Sequence, residues 1–263
     1  MRPSLKHFPR DERHIEDVYA YYEKLPMRPR INVAAYWLMG KVLKPHVSQA
    51  DPQRTSEHLK SGGVILLAGN HLSAFDPFVL AGAIGTQKNW RPIGRNGRAI
   101  AKISLYRGNY RPVAGLISRL GGIPAARDKD DSTALGTLSR ERLVALNTRL
   151  VARGQHHLVY PQGTRVKEGD PFTLAGDPKT GVGRIAVTAA QAIMSGNDSE
   201  APSSVGVLPL AIHYPNGSRN ALIHSEPLIP VTGTENPRTL TFEIVAGIQS
   251  ALDVLATGKQ HAG

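Results

Sequence analysis

The feature that most constrains the fold is a continuous apolar run, Val64–Ala68, with Gly62-Gly63 before it and Gly69-Asn70 after it. A short run that is apolar at every position and bounded by turn residues is typical of a buried strand. Further strand-like and helical patterns alternate along the chain, with strands at 158–160, 205–212 and 221–224 and helices at 13–25, 31–43, 132–153, 181–194 and 238–256. This alternation predicts an α/β fold with a mixed, mostly parallel sheet flanked by helices.

The apolar run leads into the segment Asn70–Pro77, which places His71 and Asp76 five residues apart. Asp76-Pro77 predicts a helix start, with the aspartate as N-cap and the proline at the first helical position. His71 then lies on a strand-to-helix turn, where the Asp76 carboxylate can bind one imidazole nitrogen and leave the other as a base. The alternative is an ordinary helix start beside a solvated histidine.

A second segment whose residue types suit a binding site follows the strand-like run Leu158–Tyr160. Pro161 and Gly163 end that run. Gly163 allows a close approach to the backbone. Thr164 and Arg165 add a hydroxyl and a planar set of N–H donors, which suit a phosphate or a carboxylate. The alternative is a plain turn with a surface arginine.

Together the two segments resemble the phospholipid/glycerol acyltransferase family, and most closely its lysophosphatidic acid acyltransferases. Four blocks carry the resemblance, in the family's order. His71 and Asp76 match H-x-x-x-x-D, and Lys102 and Arg127 lie in a basic block that ends in G-x-I-x-x-x-R. Residues 160–165 match four of the six positions of F-P-E-G-T-R, and residues 207–212 form an apolar block with a central proline. Four blocks in order make the resemblance specific, whereas no single block does.

The resemblance implies a single domain of the glycerol-phosphate acyltransferase type. It also implies transfer of a fatty acyl group from acyl-CoA or acyl-carrier protein to the hydroxyl of lysophosphatidic acid, which makes phosphatidic acid. His71 would be the general base and Asp76 its orienting partner. The acceptor phosphate would be held by Gly163, Thr164, Arg165, Lys102 and Arg127. The acyl thioester would be a co-substrate, with no metal and no further cofactor.

One position departs from the family pattern, because Gln162 stands where the family has glutamate. Glutamine keeps the size of glutamate, removes its charge, and can both accept and donate hydrogen bonds. We therefore expect Gln162 to tune the acceptor site. The departure leaves open another lysophospholipid or glycerol 3-phosphate as the acceptor, and also a non-catalytic lipid-binding protein of the same fold.

The charge of the chain agrees with anionic partners. Lys and Arg number 32 against 21 Asp and Glu, a formal net charge of +11, and ten basic residues with one acidic residue lie between Lys88 and Lys129. Such a segment attracts anionic lipid head groups, phosphorylated substrates or an acidic acyl-carrier protein. Nucleic acid is not an expected partner, because no nucleic-acid motif is present and aromatic residues make up only 6%.

Residue types also limit the chemistry. The chain has no cysteine, which excludes disulfides, thiolate metal sites and a cysteine nucleophile. A metal-dependent hydrolase with His71 and Asp76 as ligands would need further histidine or carboxylate ligands at useful spacing, and the sequence offers none.

We predict three parts: an N-terminal helical extension at 1–60, an acyltransferase domain at 61–230, and a C-terminal helix at 231–263 that packs on the domain. We expect no secretory signal in the extension, and no segment shows a run of about 18 apolar residues, the length needed to span a membrane. The helix at 31–43 contains Trp37 between basic flanks, which suits either the membrane interface or the protein core. The resemblance favours the interface, and implies a cytoplasmic protein on the inner face of the membrane.

Overall fold

The apolar run is the central strand of the sheet in the computed structural model, which describes residues 3, 5, 8–106, 111–126, 133–163, 174, 178–196, 201–215 and 220–258. Its helices are α1 Glu12–Lys24, α2 Pro29–Leu43, α3 Pro52–Lys60, α4 Asp76–Thr86, α5 Arg91–Asn96, α6 Arg111–Arg119, α7 Thr133–Ala152, α8 Gly181–Ser195 and α9 Pro237–Ala256. Its strands are β1 His46–Gln49, β2 Val64–Gly69, β3 Arg98–Lys102, β4 Gly122–Ala125, β5 His157–Val159, β6 Val205–His213, β7 Leu222–Ser225 and β8 Ile229–Val231.

Within the described residues these strands form one sheet in the order β1-β7-β6-β2-β5-β3-β4, and β8 pairs with the first half of β6. β2 is parallel to both of its neighbours, β5 and β6, and β3 is parallel to β4 and β5. β7 and β8 run antiparallel to β6. The predicted α/β fold with a mixed, mostly parallel sheet is therefore confirmed. The carboxyl ends of β2, β3, β5 and β6 meet at one edge, where α/β proteins form their sites.

The elements predicted from the sequence are present, and the predicted helices begin and end within two residues of the observed ones. β1 was not predicted, and it lies in the N-terminal region for which only helices were expected. It pairs with β7 through Ser48 and His224, far apart in the chain. Four residues carry too little pattern to indicate a strand, so only the distant partner strand reveals it.

The two faces of the sheet explain why β2 is apolar at every position. Val64, Leu66 and Ala68 point to one face, where they belong to the core formed with α8 and α9. Ile65 and Leu67 point to the other, where the core includes residues of α2 and α4. Since side chains alternate along a strand, a strand covered by helices on both faces needs apolar residues throughout.

Glycines allow α2 and α4 to pack with their backbones in close contact. A Cβ added at Gly85 would overlap the backbone of Tyr36 and Trp37. A Cβ added at Gly82 would lie 3.0 Å from the backbone nitrogen of Gly40. This contact fixes α2 across α4, the helix that begins at Asp76.

The sequence showed no apolar run long enough to span a membrane, but among the described residues one helix, α9, has the length and apolar composition to cross one. Its buried residues recur at helical spacing, with Leu240, Ile244, Ile248 and Leu252 among them. They belong to the same core as α8 and β2. The helix therefore also has the packing of a core helix in an α/β protein.

Two adjacent histidines are buried where β5 begins. Nδ1 of His156 accepts a hydrogen bond from the backbone N–H of Ile65 at 3.0 Å, so that nitrogen carries no proton. Burial lowers the pKa of His156 to about 4 and that of His157 to about 3. Both rings are therefore neutral in the folded protein near pH 7.

Candidate active site

The turn after β2 brings the His71 side chain into contact with the side chain of the first residue of α4. Nδ1 of His71 lies 2.8 Å from Oδ2 of Asp76. The same oxygen accepts the backbone N–H of Leu72 at 2.7 Å and that of Ser73 at 2.8 Å. Three donors thus hold the carboxylate against the turn, and the expected hydrogen bond between imidazole and carboxylate is present.

The predicted N-cap role of Asp76 is wrong. Phe75 is the N-cap residue of α4, and Asp76 is the first residue of the helix. An N-cap side chain accepts from amides inside the first helical turn. The Asp76 carboxylate instead bonds to amides that precede the helix, because the turn at Leu72 and Ser73 lies closer to it.

Asp76 has a fourth partner from a distant part of the chain. The hydroxyl of Tyr214, which follows β6, donates to Oδ1 at 2.7 Å. Asp76 is fully buried, and a buried carboxylate is tolerated when donors of this kind surround it. Burial and the charge of Asp76 raise the pKa of the Tyr214 hydroxyl, which therefore keeps its proton and donates.

These contacts define which nitrogen of the His71 ring carries the proton. Because the Asp76 carboxylate only accepts, Nδ1 carries the proton and Nε2 has a free lone pair in the neutral ring. No described residue bonds to Nε2, and the side chain is 15% exposed. The ring of Tyr160 stacks on the imidazole with 4.3 Å between centroids and 17° between planes. The arrangement suits a general base whose protonated form is stabilised by a carboxylate and an aromatic face.

Asn70 joins the carboxyl ends of β2 and β6. Its side-chain amide donates to the carbonyl of Ile212 at 2.9 Å and accepts the N–H of the same residue at 2.7 Å. The buried amide therefore extends the ladder between the two strands beyond Gly69. This contact fixes the strand that carries Tyr214 relative to the turn that carries His71.

The predicted phosphate segment begins with a tight turn beside the imidazole. Gly163 donates its N–H to the carbonyl of Tyr160 at 2.9 Å and has φ +66, a conformation that favours glycine. The N–H of Lys179 donates to the carbonyl of Pro161 at 3.0 Å. A Cβ at Gly163 would lie 3.6 Å from Cδ of Lys179, so this exposed lysine lies beside the turn.

The other predicted site residues have different outcomes. Gln162 is buried in the same turn, and Lys102 ends β3, at the edge of the sheet where β2 and β5 also end. Thr164, Arg165 and Arg127 lie outside the described residues. The structure thus brings the His71–Asp76 pair and the Gly163 turn to one edge of the sheet, joined by Tyr160.

Residues 53–213, which include this pair and this turn, match the family model described as acyltransferase. The chain belongs to the acyltransferase family. Its structure is similar to that of the 1-acyl-sn-glycerophosphate (LPA) acyltransferase PlsC from Thermotoga maritima, with a TM-score of 0.54 and 16% identity over 95% of this chain and 84% of that chain. At this identity the similarity shows a shared fold. No curated protein matches the chain by sequence.

Besides the Tyr160 ring, the structure of the acyltransferase places two further side chains beside these residues that were not predicted from the sequence, those of Tyr214 and Lys179. Tyr214 lies two residues beyond the apolar block at 207–212, and Lys179 lies two residues before α8. Proximity to these elements was the only available signal, because neither residue belongs to a periodic pattern. In the described part of the chain, no three His, Cys, Asp or Glu side chains are grouped to hold a metal ion.

Proposed function

We propose that this acyltransferase moves a fatty acyl group from an acyl thioester to the hydroxyl of lysophosphatidic acid, making phosphatidic acid for phospholipid synthesis. The observation that carries the proposal is the His71–Asp76 pair, with Nδ1 bonded to a buried carboxylate and Nε2 available at the edge where β2 ends. The solved structure of similar fold is named as an enzyme for the same type of acceptor, which supports this choice.

In the proposed reaction Nε2 of His71 removes the acceptor's hydroxyl proton as the oxygen attacks the thioester carbonyl. An alcohol is too weak an acid to be ionised by imidazole beforehand, so proton removal accompanies attack. The tetrahedral intermediate then collapses, the carbon–sulfur bond breaks, and the thiolate takes the proton from the imidazolium. The substrate's own hydroxyl is the nucleophile, so no acyl-enzyme forms.

Asp76 and Tyr160 stabilise the imidazolium formed in that step. The carboxylate lies 2.8 Å from Nδ1 and supplies the opposite charge. The Tyr160 ring stacks on the imidazole and presents its electron-rich face to the developing cation. A base that is better stabilised after it takes the proton lowers the barrier for proton transfer.

The acceptor phosphate binds at the turn that follows Tyr160. By resemblance to the family it is held by Gly163, Thr164, Arg165, Lys102 and Arg127, and we add Lys179 because its side chain lies beside Gly163. Fixing the phosphate there places the acceptor's hydroxyl against His71, a contribution of orientation. The reaction uses the thioester as co-substrate and needs no metal.

The lysolipid acceptor requires contact with a membrane surface, and we propose that α2 provides it. Two of its residues, Leu38 and Val42, are 58% and 71% exposed, although apolar side chains of this size favour burial. Ile31 and Trp37 are about half exposed on the same helix, and Lys41 lies over the Trp37 ring. A helix with exposed apolar side chains beside basic residues suits the interface of an anionic membrane, as on the inner face of a cell membrane.

The experiment is an acyl-transfer assay with purified protein. Acyl-CoA or acyl-carrier protein is supplied with a panel of lysolipids and glycerol 3-phosphate, with and without a chelator, and products are identified by mass spectrometry. We expect phosphatidic acid from lysophosphatidic acid, unchanged by the chelator. His71→Ala should lose about 100- to 10,000-fold in turnover, while His46→Ala, at an exposed position on β1, should not.

Each other result selects an alternative. Products only from another acceptor would change the substrate and keep the chemistry. Bound lipid without turnover would indicate a lipid-binding protein. Loss of activity with the chelator would indicate a metal-dependent reaction. Normal turnover by folded His71→Ala would exclude the base.

Gln162→Glu tests the acceptor site separately. Adding a carboxylate near a bound phosphate disfavours the most highly charged acceptors. We expect preference among lysophosphatidic acid, other lysophospholipids and glycerol 3-phosphate to shift a few-fold, with little change for the thioester. An unchanged profile would show that Gln162 does not tune the acceptor.

A further inference from the structure

We propose that Tyr214 is a positioning residue for the reaction, acting on His71 through Asp76. The inference rests on the proposed role of His71 as general base. Tyr214 lies beyond the end of β6, and its hydroxyl is 2.7 Å from Oδ1 of Asp76. The contact joins residues 138 positions apart, across the edge where β2 and β6 end side by side.

The two oxygens of Asp76 are used unequally. Oδ2 accepts from Nδ1 of His71 and from the N–H groups of Leu72 and Ser73. Among the described residues, Tyr214 is the one donor to Oδ1. A carboxylate rotates readily about its last torsion, which is broad. The Tyr214 bond therefore holds the plane of the carboxylate, and with it the alignment of Oδ2 towards the imidazole.

The same hydrogen bond weakens the effect of the Asp76 charge on His71. A hydrogen bond to a carboxylate oxygen stabilises its negative charge and weakens its attraction for a proton on the neighbouring imidazole. The raised pKa of the Tyr214 hydroxyl keeps this donor protonated through the neutral range. Without the donor, the full negative charge of Asp76 would act on the imidazole.

Within the part of the chain that the structure describes, the surroundings of the pair contain few other titratable groups. Tyr160 stacks on His71, and burial, together with the charge of Asp76, raises the pKa of its hydroxyl well above the usual value. It is neutral throughout the range in which an imidazole titrates. Among the described residues, Asp76 is the one charged partner with a contact to His71, so a change at Tyr214 reaches His71 through Asp76.

The test is Tyr214→Phe, which removes one oxygen and keeps the ring. Tyr19→Phe is the matched control, because Tyr19 also has a buried hydroxyl, bonded to Ser139 between α1 and α7. We expect Tyr214→Phe to lower kcat about 10-fold, because the lost alignment of Oδ2 outweighs the stronger pull of the Asp76 charge, and to leave the acceptor KM within about two-fold. The acid limb of its pH–rate profile should move up by about half a unit to one unit. Tyr19→Phe should change neither.

A second readout does not require turnover. Nitrogen-15 NMR follows the imidazole signals through a pH titration, with the His71 signal assigned by its loss in His71→Gln. We expect the midpoint of the His71 titration to rise in Tyr214→Phe and to stay unchanged in Tyr19→Phe. Tyr214→Gln, which returns an N–H donor, should recover part of kcat, and it carries the test if Tyr214→Phe does not fold.

The outcomes separate this inference from the proposed function. Unchanged kcat and an unchanged His71 titration in Tyr214→Phe would overturn the positioning role even if the protein is an active acyltransferase. An equal fall of kcat at every pH, without a shift of the titration, would also overturn it and leave Tyr214 a structural role. A shifted titration in a protein that transfers no acyl group would support the contact and refute the function instead.

Discussion

Asp76→Asn separates the charge of the carboxylate from its geometry. Two of the donors to Oδ2 are backbone N–H groups, which cannot accept hydrogen bonds. The amide oxygen of the variant must therefore take the place of Oδ2, and its NH2 group faces Tyr214, whose hydroxyl can turn to accept. Nδ1–H of His71 keeps its acceptor. We expect the ring orientation and the tautomer to survive, and only the negative charge to be lost.

The cost follows from the distance between the charges. Nδ1 and Oδ2 are 2.8 Å apart. For unit charges centred about 4 Å apart, at an effective dielectric constant of about 20, the attraction is about 4 kcal/mol. The imidazole is 15% exposed, so water screens part of it, and we expect a loss of about 3 kcal/mol of transition-state stabilisation. This corresponds to a fall of roughly 150-fold in kcat.

Kinetics and unfolding test this together. We expect the acid limb of the pH–rate profile to move to lower pH, because the imidazolium loses its partner. The free energy of unfolding should fall by less than about 2 kcal/mol, since every hydrogen bond keeps a partner. Asp76→Ala is the contrast: it leaves the amides of Leu72 and Ser73 without an acceptor and should destabilise the fold more.

Two results would refute this reasoning. Turnover of Asp76→Asn close to that of the wild type would show that the charge is not used. A loss of about 10,000-fold, in a protein of unchanged stability, would show that the tautomer has changed. The side-chain amide of the variant would then turn its NH2 group, and not its oxygen, towards the backbone donors.

Three further outcomes are expected. Replacing both Leu38 and Val42 by serine should weaken binding to anionic vesicles about 30-fold, because each side chain contributes roughly 1 kcal/mol of binding free energy. Phe242→Ser, at a position 50% exposed on α9, should leave binding unchanged. Cosedimentation with vesicles measures both variants. Burial lowers the pKa of His157 to about 3, so the unfolded chain takes up a proton that the folded protein excludes as pH falls below about 6.5. Stability in urea should therefore fall between pH 6.5 and 4, and His157→Leu should reduce that slope. Gly85→Ala should lower the free energy of unfolding by about 2 kcal/mol or more, because the added Cβ overlaps the backbone of α2. This loss should appear although alanine has the better helix propensity. A stability equal to that of the wild type would contradict the close packing of α2 and α4.

The His71–Asp76 contact could be predicted because both residues belong to one six-residue turn. A strand that ends at Gly69 and a helix that starts near Pro77 leave few paths for the chain between them, so the two side chains meet by local geometry. The N-cap role was predicted wrongly for the same local reason. A sequence pattern does not tell whether a carboxylate bonds to amides before the helix or within it.

The sequence by itself determined the class of the fold, since an apolar run at Val64–Ala68 requires cover on both faces and its neighbours alternate between helical and strand periods. Only the tertiary structure decided which distant side chains complete the site. Tyr160 reaches His71, and Tyr214 reaches Asp76, because β5 and β6 lie on either side of β2 and end at the same edge. Strand order is set by how whole faces pack, and periodicity within one strand carries no information about it.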